Sequence, residues 1–152
     1  MRKTKQTINV AHMSAGAWIS HAARLLNQRL AEAQQPLQLT PGQYKVLVEL
    51  WKKDGLTQRE LVQRLDIEQS TIGNTLNRME RDELIERRPH PTDGRAQLIC
   101  LASRAIDLKG AAVAAADTIN QRALAGFSDQ ERSQLFMFME RIVLALKEEP
   151  AD

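Results

Sequence analysis

The sequence predicts a mostly α-helical fold with one short β-hairpin set into it. Three observations carry that expectation. Aromatic residues make up only 4% of the chain while Leu and Ala are abundant, a balance that favours helix over sheet. Apolar residues recur at three- and four-residue steps along most of its length. Between about residues 84 and 101 that period gives way to two short strand-like runs around a loop containing Pro and Asp-Gly. At 152 residues and 43% hydrophobic, the chain suits one compact core and is too apolar for wholesale disorder.

A first helix is expected over residues 15–30, where Ala15, Trp18, Ile19, Ala22, Leu25, Leu26 and Leu30 form one apolar stripe before Pro36 ends it. Thr40-Pro41-Gly42-Gln43 opens a second, with Thr40 as cap, Pro41 at the first helical position and Gln43 completing a capping box. Its buried face is read as Tyr44, Leu47, Val48 and Trp51, and Asp54-Gly55 stops it. Thr57-Gln58-Arg59-Glu60 is another capping box, opening a third helix with Leu61, Val62 and Leu65 inward. Asp66 follows in a turn that needs left-handed backbone. A fourth helix spans about Gln69 to Arg81, with Ile72, Leu76 and Met79 on its inner side. Two short helices joined by a tight turn form a helix-turn-helix, and the hairpin Leu84–Arg88 and Gln97–Leu101 directly after it is a wing. Ile106, Val113, Ile119 and Leu124 mark a long fifth helix. Ser128-Asp129-Gln130-Glu131 caps a sixth that is apolar on more than one side, from Leu135 to Leu146, a surface suited to burial against a second chain.

Composition excludes several classes. Lys plus Arg is 21 against 19 Asp plus Glu, a formal charge of +2, so any nucleic-acid affinity must come from where charge lies. Even from Leu84 to Arg104, four arginines face only two acids, and binding should rest on shape and specific contacts as well as bulk attraction. The single cysteine, Cys100, allows no intramolecular disulfide and suits a reducing, cytoplasmic setting; as a small hydrophobe in a wing strand it receives no sensing role. No apolar run is long enough to cross a bilayer, and the basic start Met1–Lys5 is not followed by a proper signal-peptide core. His12, His21 and His90 lack metal-ligand spacing, so neither metal nor cofactor is expected. Gly-rich phosphate loops and nucleophile elbows are also missing, and an enzyme is not expected.

The ordered set Leu61-x3-Leu65, Ser70-Thr71-Ile72, Leu76-Asn77-Arg78-Met79-Glu80, Leu84-Ile85-Glu86-Arg87 and Asp93-Gly94-Arg95 resembles the multiple-antibiotic-resistance regulator (MarR) family. The similarity extends from about Trp18 to Leu146. It implies a single domain over 1–152, with a winged helix-turn-helix lobe at 38–101 and dimerisation helices at 11–35 and 102–148. It further implies a homodimer that binds pseudo-palindromic double-stranded DNA, usually as a repressor, and lets go when a small aromatic or anionic effector binds. This chain departs from the family at Glu83, where Gly is common before the first wing strand, and at Ala102 and Ala105, where Thr and Gly are common; Ser103 then stands in as the cap.

With Ile72, Leu76 and Met79 inward, the fourth helix turns Gln69, Ser70, Thr71, Asn74, Asn77 and Arg78 outward. These are short donors and acceptors suited to base edges and phosphates, and Gly73 adds no bulk that would hold the helix off a duplex. On an isolated helix such a face would simply be solvated; the adjoining wing is what gives it a nucleic-acid reading. Arg87, Arg88 and His90 are assigned phosphate contacts. Arg95 resembles the family's wing arginine, suited to a narrow minor groove, and Asp93 the wing aspartate that orients it through a salt bridge. The resemblance also places an effector cleft between dimer base and lobes, lined by Trp18, His21, Arg24 and Tyr44. The rival reading is a winged-helix dimer that works through protein contacts without binding DNA.

Overall fold

The computed structural model describes residues 14–148. Met1–Lys5, His12 and the first three residues of the expected dimerisation segment at 11–35 lie outside that range. Helix α1 (Ala15–Gln34) begins at Ser14, whose hydroxyl accepts from the Ala17 N–H at 3.2 Å. It runs about a turn beyond the apolar stripe, because Pro36 does not end the helix directly. It sits instead in a separate 3-10 turn (Gln35–Leu37) closed by Gln38 in left-handed backbone.

Helix α2 (Pro41–Lys52) has the expected capping box. The Gln43 N–H donates to Thr40 Oγ1 at 3.2 Å and the Thr40 N–H to Gln43 Oε1 at 3.0 Å. Its buried face differs from the expectation: Gln43, Val46, Leu47 and Leu50 are buried, while Tyr44, Val48 and Trp51 are half-buried. Burial wraps around this helix because it is packed by α1 and by α3 (Gln58–Leu65), α4 (Gln69–Arg81) and α5 (Ser103–Ala123). Trp51 reaches the last of these, its indole N–H donating to the Ala105 carbonyl at 3.1 Å.

Between α2 and α3 lies a strand that the period could not reveal, β1 (Leu56–Thr57), whose two residues pair antiparallel with β3 (Gln97–Leu101). Thr57 then caps α3 in a box with Glu60, and Asp66 takes the left-handed conformation its position requires, at φ 53°. In α4, Ile72, Leu76 and Met79 are all at most 1% exposed. They pack with Leu47, Leu50, Leu61, Leu84 and Ile99 in one core; at roughly 1.5–3 kcal/mol per buried side chain, this cluster dominates the lobe's stability. The wing pairs β2 (Ile85–Pro89) with β3, giving the sheet order β1-β3-β2 with Arg87 opposite Ile99.

The end of α4 explains the departure at Glu83. The Leu84 N–H donates back to the Met79 carbonyl at 2.8 Å, and Glu83 between them has φ 56°. This is a helix stop in which one residue must be left-handed, where glycine is free of the Cβ clash that Glu must tolerate.

Helix α5 opens at Ala102 without a side-chain cap; Ser103 is its first helical residue and does not serve as the cap. Its inner face is small, with Ala105, Ala112 and Ala116 buried, which lets α1 lie close alongside. The larger Ile106 is 58% exposed and Val113 and Ile119 are half-buried, the reverse of an inward apolar stripe. Helix α6 (Asp129–Lys147) has the capping box expected at Ser128, yet buries none of its residues. Phe136, Leu144 and Leu146 are 60%, 56% and 82% exposed.

Two outcomes follow from the caps. Replacing Glu83 with Gly should raise unfolding stability by about 1 kcal/mol, read from the urea midpoint, by relieving the left-handed strain. No gain would mean that the turn holds Glu without cost. Hydrogen bonds from the Thr57 backbone and hydroxyl hold the Glu60 carboxyl below its ordinary 4.5. A lowered folded value contributes stability that is fully present above the unfolded value and lost as pH falls through the folded one. The stability gap between wild type and Glu60→Gln should therefore shrink on acidification below the usual carboxylate range. A gap constant with pH would contradict the cap's charge dependence.

Candidate nucleic-acid interface

Burying one side of α4 decides what its other side presents. Gln69, Ser70, Thr71, Asn74, Asn77 and Arg78 are all exposed. Steps of three and four residues align Ser70, Asn74 and Asn77 on one stripe. The same stripe continues to Arg81, which the sequence reading passed over because it lies at the helix end; its side chain is 72% exposed and pairs with Asp82 at 3.1 Å. Gly73 has a different role from the one expected. It is half-buried, and a Cβ added there would meet the Gln58 side-chain nitrogen at 3.3 Å, so its smallness serves the packing of α3 on α4.

The wing residues divide into braced and free. Arg87 is turned toward α4, donating to Glu80 at 2.5 Å and to Asn77 Oδ1 at 2.8 Å, with its side chain 22% exposed. Arg88 is exposed and pairs with Glu86 on its own strand. His90 builds the tip: its Nδ1 accepts from the Asp93 N–H at 3.1 Å and the Thr92 N–H at 3.3 Å. Those two backbone donors require an unprotonated Nδ1. Asp93 accepts from the Arg95 backbone N–H at 3.0 Å rather than from its guanidinium. The expected salt bridge is replaced by a side-chain turn that shapes the tip while leaving the Arg95 side chain exposed. Among the described residues, Arg95 has no ion pair.

Of the residues assigned to an effector cleft, three come together on α1. The Trp18 and His21 rings meet edge-on at 6.3 Å, and Arg24 donates to His21 Nδ1 at 2.9 Å. Tyr44 instead meets Trp51 edge-on at 6.0 Å, and burial, helped by the Asp117 carboxylate, pushes its hydroxyl above the ordinary value. A polar cleft of about 380 Å³ lies elsewhere, where Arg81, Asp82 and Glu83 meet Gln38 and Arg104. Cys100 is buried, and that burial, then the nearby Asp54 carboxylate, push its thiol up, which keeps it protonated and a poor nucleophile. Among the described residues no cluster of His, Cys, Asp or Glu could hold a metal, and no helix is long and apolar enough to cross a membrane.

The MarR family model matches residues 39–96, which run from the cap of α2 to the far side of the wing tip. A crystal structure of a probable transcriptional regulator from Pseudomonas aeruginosa is 31% identical, with 85% of this chain and 99% of that one covered at a TM-score of 0.71. The chain belongs to the MarR family. Within this MarR-family chain, every residue assigned to DNA lies inside the matched segment, whereas Trp18, His21 and Arg24 lie before it. The transcriptional regulator HosA of Escherichia coli is 29% identical over 119 residues, which is 78% of this chain and 87% of that one. The PcaV transcriptional regulator from Streptomyces coelicolor, solved in complex with its natural ligand, is 26% identical; 90% of this chain and 99% of that one are covered, with a TM-score of 0.74. The chain is therefore a MarR-family transcription regulator with a winged-helix fold.

Proposed function

We propose that the chain is a cytoplasmic homodimer that represses transcription by covering a pseudo-palindromic operator, and that it lets go when a small aromatic or anionic effector binds. The observation that carries the DNA part is the outward polar stripe of α4 beside a wing whose Arg95 is exposed and without an ion pair among the described residues. An α-helix with such short polar side chains suits the major groove, and a guanidinium beyond it suits the negative potential of a narrow minor groove. Gln69, Ser70, Thr71, Asn74, Asn77 and Arg78 would meet bases and phosphates. Arg88 and His90 would lie along the backbone, and Asp93 would shape the tip. Two α4 helices about 34–36 Å apart would enter successive major grooves of one duplex face.

A second copy is the proposed cover for the base. Helix α6 exposes Phe136, Met137, Phe138, Val143, Leu144 and Leu146, and Ile106 adds to the same apolar character on α5. So many exposed large apolar side chains on one helix are costly in water and typical of obligate association. Trp18, His21 and Arg24 supply an aromatic face and a cation on α1, chemistry that suits an aromatic acid. Such an effector acts only through unequal affinity for lobe spacings that match and mismatch the operator.

Leu144→Glu should convert the wild-type dimer to monomer in sedimentation velocity; a dimer surviving that change would remove α6 from the interface. Fluorescence anisotropy with the duplex upstream of its own gene, under competition by unrelated DNA, tests the operator. Arg95→Ala should weaken that binding by roughly 5- to 150-fold, equivalent to 1–3 kcal/mol. Wild-type affinity in Arg95→Ala would rule out the wing contact. Equal, weak binding of all duplexes by the wild type would favour a dimer acting through protein contacts.

A further inference from the structure

Arg87 is a basic residue beside the proposed reading helix, yet its charge is engaged inward. Pairing of β2 with β3, Arg87 opposite Ile99, sets its backbone position. From there Nη1 donates to Glu80 Oε2 at 2.5 Å and Nη2 to Asn77 Oδ1 at 2.8 Å. A guanidinium has donors only, so Asn77 must turn its oxygen toward Arg87 and its amide nitrogen away. Asn77 itself is exposed on the stripe shared with Ser70 and Asn74.

We infer that Arg87 is a positioning residue that makes Asn77 a donor toward DNA and so restricts which base it reads. A free asparagine recognises adenine in two-point fashion, its oxygen accepting from N6 while its nitrogen donates to N7. With Oδ1 directed at Arg87, the outward group is the Nδ2 pair of N–H donors. Such a group suits an edge rich in acceptors, guanine O6 and N7 or thymine O4, and gains nothing from the adenine amino group. Glu80 completes the device by neutralising the guanidinium, which removes Arg87 from the phosphate contacts assigned to it from sequence. The inference rests on the DNA reading above and narrows it to one position in each half-site.

A brace joining β2 to α4 would require the same hydrogen bonds, so stability alone does not separate the two roles. Base preference does. The test selects binding duplexes from a randomised pool with wild-type protein. Affinities are then measured for single-base-pair variants of the selected duplex, including purines whose N7 is replaced by carbon. Asn77→Asp keeps an acceptor for Arg87 and withdraws both donors; its added negative charge lowers affinity for every duplex, so the readout is the preference and not the affinity. At one symmetric position the wild type should favour guanine or thymine over the alternatives by roughly five- to tenfold, the value of one hydrogen bond. In Asn77→Asp that preference should vanish while those at other positions persist and the urea midpoint is unchanged or higher. Arg87→Met, which frees the amide, should admit adenine at the same position. An Asn77→Asp profile identical to wild type at every position would overturn the inference and leave the DNA reading intact. A wild-type protein without any base preference would overturn the DNA reading and this inference together. Should Arg87→Met fail to fold, the Asn77→Asp profile still decides.

Discussion

The packing of Ile72, Leu76 and Met79 against the rest of the lobe is the constraint on which the other features depend. A helix has one rotational setting about its axis, and burying those three side chains fixes it. The polar stripe from Ser70 to Asn77 is then outward whatever else happens, and Glu80 is carried to the side where the wing passes. The orientation of the candidate interface is thus set by the apolar side of α4, and its chemistry by the polar side. Hydrophobic burial is non-directional, but spaced along a helix it becomes directional, and that is how a generic driving force aims specific side chains.

The wing is attached to this helix by geometry stronger than its two strands alone would provide. The chain leaves α4 through a left-handed residue, returns a hydrogen bond to the Met79 carbonyl, and enters β2 within two residues of the stop. Arg87 then reaches back to Glu80 and Asn77, while β1 adds a third strand on the far edge of β3. An isolated hairpin is marginal in water, and these ties are what hold its tip at a defined height above the lobe. At the tip, His90 and Asp93 use side-chain acceptors to supplement the backbone hydrogen bonds of the seven-residue loop, and Arg95 is left at the surface. Glu at position 83 shows that this sharp exit is maintained even without the residue that would make it easily.

The base of the molecule obeys a different logic. Helix α5 packs along α1, and the residues it buries are small, Ala105, Ala112 and Ala116, which allow close helix approach but bury little area per side chain. Ile106 of α5 and most of the large apolar residues of α6 stay exposed instead, while Leu108 alone of the larger α5 side chains joins the core. A chain that packs its small residues inward and leaves Phe136, Leu144 and Leu146 in contact with water has not completed its hydrophobic core within one copy. In the proposed dimer the second copy completes it, so that folding and assembly of the base would be one process.

Much of this fold was legible residue by residue. Capping boxes at Thr40, Thr57 and Ser128 marked helix starts because they are local, involving a hydroxyl, an amide or carboxyl and backbone three residues apart. The left-handed turn at Asp66 and the inner face of α4 were legible for the same reason. Elements that close over long separations were not. β1 exists only because β3 arrives more than forty residues later to pair with it, and the inner faces of α2 and α5 depend on how many neighbours crowd each helix. The roles of Gly73, Asp93 and Arg87 likewise turned on partners that helix or hairpin spacing does not reveal. By itself, then, the sequence determined where helices begin, which period each segment follows and which family it joins, because those properties reside in neighbouring residues. The tertiary structure alone decided which polar side chains are free and which are engaged, because a hydrogen bond between residues far apart in the chain is set by the packing that brings them together.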